Sequence, residues 1–443
     1  MFENKKIFIL GMARSGYEAA KLLSKYNNKI LITDRKEQDE NHVKELERAG
    51  VEIHICDDPI ELLDDSFDFV VKNPGIKLDH PIVVKAEQLG IPVTNEVEVA
   101  YSFLPEGVKI IGITGSNGKT TTTTLIYEIM KLAGKDVHLG GNIGYPVCSL
   151  VEKCKENDIL VLEISGHQLH DFINFKTDVS VMTNLTEVHT DHFGTYENYK
   201  YNKCLIFKGH TEKDVAILNL DNEDVLEGTK NIKSHKLMFS SSKDADLCIK
   251  EDAIYYLNER VVELKDIRLK GVHNYENIMC AIGAVKEFGV ANESIINLLK
   301  SFTGVEHRIE FVRELNGREF YNDSKSTNVK STQIALSAFK NPTIVLLGGL
   351  DRGLPFDDLT SFLGNTKEIV CYGETKNKIK DFAESVNKMC KVVDTLEEAV
   401  LQAYKDSNDG DVILLSPACA SWDQYDNFEV RGNEFKQVVN NLK

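Results

Sequence analysis

A multidomain α/β protein is the fold class that this sequence predicts. Short β-rich apolar runs alternate with amphipathic helical stretches along most of the chain, glycine-rich turns follow two of those runs, and 443 residues exceed what one ordinary core fills.

The runs Ile7–Leu10, Ile30–Thr33, Val51–Ile55 and Phe69–Val71 read as strands with helical stretches between them, so residues 1–97 are expected to form a Rossmann-like domain. A second series, Lys109–Thr114, Ile159–Ile164, Val179–Thr183 and Val215–Leu218, is near-continuously apolar, as buried parallel strands are. It predicts a second, mostly parallel sheet in a central domain over 98–302, of the ATPase-like kind if the glycine-rich turn after its first strand, Gly115–Thr120, holds phosphate. Between Leu247 and Leu269 short alternating strands without a helix predict a small antiparallel appendage, followed by a long helix from about Asn274. Thr343–Leu347, Ile369–Tyr372 and Val412–Leu415 then define a second Rossmann-like domain over 303–443.

Apolar residues make up 42% of the chain and charged residues 27%, which is globular usage rather than that of a disordered chain. A formal net charge of -17 argues against nucleic-acid partners and anionic membranes, so an anionic ligand must meet locally placed donors. The nine cysteines are scattered without a Cys-x-x-Cys pair, which suggests neither a disulfide framework nor a zinc site. With no signal-like or membrane-spanning apolar run, the cytoplasm is the expected location.

Thr114-Gly115-Ser116-Asn117-Gly118-Lys119-Thr120 follows an apolar strand and opens a helical stretch. Glycines let successive N–H groups face a phosphate, and the helix start adds its positive end. Lys119 has the reach for β- and γ-phosphates, and the Thr120 hydroxyl suits Mg²⁺. Ile113 stands where a full-length phosphate loop has its first glycine, so the motif is a short form. A turn that merely capped a helix would need neither the lysine nor the threonine.

Gly11-Met12-Ala13-Arg14-Ser15-Gly16 also follows a strand, and Asp34 ends the next one. The pattern is that of a dinucleotide turn with Ala13 in place of the second glycine, where a Cβ crowds the approach of a pyrophosphate. This weakens a nicotinamide site and leaves two alternatives, a ligand-free turn or a nucleotide held through Arg14 and Ser15. Glu163, at the carboxyl end of a buried strand, offers oxygen ligands on the side where the phosphate loop lies. His189 and Lys203 follow another strand end, and spacing alone makes them a lone histidine and a lone lysine. In the third domain Asn322–Asn328, Asp351-Arg352-Gly353 and the run Ser416–Asp423 are polar clusters at strand ends. Arg352 supplies a fork suited to a carboxylate.

Taken in order, the short phosphate loop, Gly140-Gly141-Asn142-Ile143-Gly144, Asn184-Leu185-Thr186, Gly271-Val272-His273-Asn274 and His307-Arg308 resemble the Mur ligases over essentially the whole chain. Asn322–Asn328, Leu350–Gly353 and the run from Ser416 through Phe428 to Phe435 are similar to the branch that adds D-glutamate to a UDP-linked muramoyl-alanine. The resemblance implies an ATP-dependent acid–amino-acid ligase working through an acyl phosphate. Arg14, Ser15, Asp34, Arg35 and the turn Asn73-Pro74-Gly75 would bind the UDP end, and Asn142 and His189 the muramoyl-alanine part. Gly115, Ser116, Asn117, Gly118, Lys119, Thr120 and Thr121 would hold the ATP phosphates, with Asn274, Asn277, Arg308 and Asp323 completing that site. Two Mg²⁺ ions are implied, one at Thr120 and Glu163, the other at His189 and a carbamylated Lys203. Lys119, His189, Lys203 and Arg308 would act on the reacting groups, and Lys325, Thr327, Arg352, Ser421 and Phe428 would receive D-glutamate.

The sequence departs from the family pattern at Asn73, at Gly166-His167 where Ser-Phe is usual, and at Val188 where an acid is usual. The expected partners are small molecules, with a monomeric chain and no membrane insertion. The competing readings are another amide ligase of this fold, including one acting on folate, a nicotinamide oxidoreductase, and a nucleotide-sensing protein without activity. The oxidoreductase leaves the phosphate loop unexplained, and the run Ser416–Ser421 speaks against another amide ligase of this fold, whether it adds a different amino acid or acts on folate.

Overall fold

In the computed structural model, which describes residues 1–187, 193–353 and 355–443, three sheets carry the chain. The first has the order β3-β2-β1-β4-β5 and comprises β1 (Lys6–Leu10), β2 (Lys29–Asp34), β3 (Glu52–Ile55), β4 (Phe69–Lys72) and β5 (Val93–Thr94), all parallel. Strand order reverses between β1 and β4, and the turn after β1 opens at that point, where ligands of open α/β sheets bind.

The second sheet runs β14-β13-β12-β11-β10-β9-β6-β8-β7. Its parallel part is β6 (Lys109–Thr114), β7 (Val137–Gly141), β8 (Ile159–Glu163), β9 (Val179–Met182), β10 (Val215–Asn219), β11 (His235–Ser240) and β12 (Leu247–Lys250). The antiparallel strands β13 (Ala253–Tyr256) and β14 (Glu259–Glu263) continue from β12. This corrects the expected appendage: Phe239 and Ser240 of β11 pair in parallel with Leu247 and Cys248, which joins the hairpin to the central sheet as its edge.

Helix Lys119–Leu132 shows how local chemistry is overridden. Five consecutive threonines, Thr120–Thr124, are β-branched and disfavour a helix by about 3 kcal/mol together relative to alanine. The Thr123 and Thr124 hydroxyls donate to the carbonyls of Lys119 and Thr120, both at 2.8 Å. Burial of Leu125, Ile126, Ile129 and Met130 against the sheet contributes about 6–12 kcal/mol and decides the outcome.

The third sheet, β15-β16-β20-β17-β18-β19, is built from β15 (Glu310–Leu315), β16 (Arg318–Asn322), β17 (Thr343–Gly348), β18 (Thr366–Tyr372), β19 (Met389–Val392) and β20 (Val412–Leu415). An antiparallel β15–β16 hairpin begins it and the remaining pairings are parallel. The chain divides into two compact units, Met1–Phe302 and Thr303–Lys443, so the first two sheets share one unit. Among the described residues, no helix is long and apolar enough to cross a membrane.

Candidate active site

The phosphate loop is built by its neighbours as much as by its own residues. Backbone N–H groups of Ser116 and Asn117 donate to the Asn184 carbonyl and side-chain oxygen at 2.8 and 3.0 Å, while the Ser116 hydroxyl lies 2.8 Å from that of Tyr199. Gly118, at φ +81°, caps the helix, and a Cβ there would sit 2.2 Å from Asn277 Oδ1. Glycine is therefore required on both conformational and steric grounds. Lys119 is half-buried rather than solvent-facing, its ammonium donating to the Gly115 and Ser116 carbonyls at 2.9 and 2.8 Å. The first-turn N–H groups of a helix point away from its own carbonyls, the usual condition for anion binding.

Behind the loop lies a small polar cluster of oxygen atoms. Thr120 Oγ1 donates to Glu163 Oε2 at 2.8 Å, and the Asn142 amide donates to Glu163 Oε1 at 2.7 Å. Glu163 is 2% exposed, and among the described residues no ion pair neutralises it. A buried carboxylate beside a hydroxyl, next to a phosphate loop, has the hard-oxygen chemistry that Mg²⁺ takes.

Lys203, on helix Tyr196–Cys204, is 3% exposed and donates to Thr114 Oγ1 at 3.1 Å. Burial drives its pKa well below the usual lysine value, and nearby Lys119 acts in the same direction against the opposing pull of Glu163. The Tyr199 ring lies 5.5 Å from the Lys203 ammonium, and Phe193, on which His167 stacks with ring centroids 5.2 Å apart, approaches the same glycine, Gly166, as the Lys203 side chain, giving that histidine a packing role. His189 and Val188 lie outside the described residues. Asn277 abuts the loop through Gly118 and Thr122, while Asn274 begins the same helix, Val272–Lys286, and donates to the Lys270 carbonyl.

At the N-terminal turn, Asp34 accepts the N–H groups of Met12 and Lys36 at 2.7 and 3.0 Å. A Cβ on Gly11, which has φ +94°, would lie 2.4 Å from the Asn73 amide nitrogen, so the first and last turns of the expected UDP set are in contact. Ile76 N–H closes the Asn73-Pro74-Gly75 turn onto the Asn73 carbonyl. Arg14 begins helix Arg14–Leu23, is exposed, and donates to the Gly144 carbonyl at 3.2 Å. Ser15 is half-buried beside it, and Arg35 is exposed.

In the unit Thr303–Lys443, buried Asp323 accepts the Ser416 hydroxyl at 2.7 Å and the Ile309 N–H at 3.2 Å, and burial raises its pKa to about 6. Exposed Arg308 is between His307 and Ile309, both at positive φ, which is uncommon for a β-branched residue. The Lys325 ammonium is 5.8 Å from the centre of the Phe428 ring, and half-buried Thr327 donates its N–H to the Lys325 carbonyl. The Arg352 guanidinium is 4.9 Å from the centre of Trp422, next to buried Ser421. Sequence reasoning gave no structural role to Arg431. It is fully buried and donates to Ser324 O, Ser324 Oγ and Cys419 O at 2.9, 3.0 and 3.1 Å, tying two of the strand-end loops together. An arginine in an amphipathic C-terminal helix, Phe428–Asn441, reads as part of its polar face and gave no signal of this. The loop-locking role of Asn184 could have been anticipated from its place directly after a parallel strand.

Three family descriptions match the chain: the Mur ligase MurD-like N-terminal domain over residues 5–95, the Mur ligase middle domain over 113–285, and the Mur ligase glutamate ligase domain over 307–419. Relatives called UDP-N-acetylmuramoylalanine–D-glutamate ligase from Bacillus thuringiensis (strain Al Hakam) and Bacillus cereus (strain 03BB102) are each 46% identical over 445 residues, covering 100% of this chain and 98% of theirs. The fold is shared with UDP-N-acetylmuramate-alanine ligase MurC from Thermotoga maritima, at TM-score 0.58 and 18% identity over 99% of this chain and 100% of that one. It is shared too with the MurF ligase from Thermotoga maritima in complex with ADP, at TM-score 0.56 and 17% identity over 99% and 98%. With a phosphate loop, a buried acid behind it and a full-length relationship of this identity, the chain belongs to the Mur ligase family.

Proposed function

We propose that this protein joins D-glutamate to UDP-N-acetylmuramoyl-alanine at the expense of ATP, in the cytoplasmic synthesis of peptidoglycan precursors. The observation that carries this reading is the 46% identity along the whole chain to ligases named for that reaction. The interlocked Thr120–Glu163–Asn142 cluster beside the phosphate loop supports it independently.

A carboxylate resists attack by an amine because its oxygen leaves poorly, so the alanine carboxylate first takes the γ-phosphoryl group and ADP leaves. The D-glutamate amine then forms the amide bond at the acyl carbon, phosphate departs and the amine proton is lost. Lys119, the first-turn N–H groups of its helix and Arg308 would offset charge on the transferring oxygens. Mg²⁺, held by Thr120 and Glu163, would supply further charge neutralisation at the phosphates. In this reading residues 1–97 hold the UDP end, with Arg14, Ser15, Asp34, Arg35 and Asn73–Gly75. Residues 98–302 hold ATP, and 303–443 hold D-glutamate at Lys325, Thr327, Arg352, Ser421 and Phe428.

Lys203 fits a carbamate, which with His189 would hold a second Mg²⁺. Carbon dioxide adds to a neutral amine with loss of one proton, and the burial that lowers the Lys203 pKa raises the neutral fraction. The product would place an anionic oxygen near Glu163.

Phosphate release measured with UDP-N-acetylmuramoyl-alanine and ATP should depend on D-glutamate; release with another amino acid and none with D-glutamate would refute the proposal. Lys203→Ala should lose activity and regain part of it when acetate fills the vacancy. Full activity without acetate would remove the carbamate.

A further inference from the structure

Two cations in the unit Thr303–Lys443 are backed by aromatic rings, Lys325 by Phe428 at 5.8 Å and Arg352 by Trp422 at 4.9 Å. The first pair lies wholly within the residues assigned above to D-glutamate. Trp422 has no such assignment, yet it is 61% exposed, which is unusual for the largest apolar side chain unless the exposed face has a task.

The surrounding backbone is pinned. Leu350 N–H donates to the Ala420 carbonyl at 2.9 Å, which joins the loop that carries Arg352 to the loop that carries Trp422. Asp351, the acid next to the arginine, is already engaged: its carboxylate accepts the Gly353 N–H at 2.8 Å and pairs with Lys378 at 3.0 Å. On the other loop, Asp423 accepts the Glu374 N–H at 3.0 Å, and Tyr425 N–H returns to the Ser421 carbonyl at 2.9 Å. Among the described residues Arg352 makes no ion pair, so the indole face is what orients its guanidinium.

Stacking engages the face of a guanidinium and leaves its in-plane N–H donors directed outward. An exposed arginine otherwise samples many rotamers, and a plate beneath it restricts those rotamers before a carboxylate arrives. D-glutamate carries two carboxylates, and two cations with aromatic backing suit such a ligand. We propose that Trp422 is the positioning residue for Arg352, holding its fork open toward one carboxylate of the amino-acid substrate. This rests on the assignment of Arg352 to D-glutamate.

Trp422 is also the single tryptophan of the chain, so its fluorescence reports this stack without interference from another indole. In the ligand-free protein, Arg352→Ala should change the intensity or maximum of tryptophan emission; an identical spectrum would overturn the stack. In steady-state assays Trp422→Leu should raise the D-glutamate KM by about 3- to 30-fold, with kcat and the ATP KM within about twofold of wild type. Trp422→Phe, which keeps a ring, should recover most of the loss. An unchanged D-glutamate KM in Trp422→Leu, or equal losses in the leucine and phenylalanine variants, would overturn the proposal. If Arg352→Ala alters the emission but leaves the D-glutamate KM unchanged, the assignment of Arg352 to the amino acid fails instead, while the stack stands.

Discussion

Two turns in the unit Met1–Phe302 share one backbone plan and differ in the charge they present. Each leaves a parallel strand through a glycine at positive φ, Gly11 after β1 and Gly115 after β6, and each opens a helix. At the first turn an acid is built in: the Asp34 carboxylate takes the Met12 N–H, and Asn73 packs against Gly11. At the second, the loop N–H groups are held by the neutral oxygens of Asn184, and Lys119 adds a positive charge. A strand-glycine-helix turn is thus a frame, and the group that its neighbours supply, a carboxylate at the first turn and an ammonium at the second, sets which part of a nucleotide each can take.

The largest test of this contrast is Lys119→Ala. Phosphate release should fall by about 10³-fold, the order seen when a preorganised donor to a developing charge is removed, with the far-ultraviolet spectrum unchanged. Near-wild-type turnover would show that the second turn does not owe its role to positive charge.

The contrast also presumes that both turns belong to one cooperative body, and the segment Glu96–Tyr101, which follows the first sheet, bears on that. Glu96 is 4% exposed and accepts the N–H of Cys148, in the turn Val147–Ser149 that follows the edge strand β7. Burial raises its pKa to about 7. Since the folded carboxyl then holds its proton more tightly than the unfolded one, the folded chain binds more protons between about pH 4.5 and 7. Its contribution to stability is therefore fully present at low pH and lost as pH rises through 7, a difference of about 3 kcal/mol. Denaturant titrations at pH 5 and pH 8 should show this slope in the wild type and a flatter one in Glu96→Gln. Equal slopes would mean that Glu96 titrates normally and the join is more open to water.

A smaller effect is expected at the first turn. Asp34→Asn keeps the shape of the acid but loses its charge, and should raise the KM for the UDP-linked substrate about tenfold with the ATP KM unchanged. If both constants rose together, the two turns would not be the separate binding elements that their charges suggest.

By itself the sequence determined the α/β class, most of the buried strands and the strand-glycine-helix frame of the loop Gly115–Thr120. These are properties of local pattern: a continuous apolar run such as Val179–Met182 can hide only in a sheet covered on both faces, and glycine, lysine and threonine at fixed spacing have few other uses. Several of the strands it passed over have a weak apolar signal. β7 contains two glycines, and β19 is a partly exposed edge. β15, which leads the third sheet, alternates charged with apolar residues without a clean period. Tertiary structure alone decided which polar residues face one another. Asn142 and Thr120 meet at Glu163 across three separate strand ends, and Lys203 is buried although its helix, Tyr196–Cys204, reads as almost wholly polar. Arg431 and Trp422 obtain their roles in the same way, from loops 107 and 70 residues away, because burial and stacking depend on what the fold brings near and not on what is adjacent in the chain.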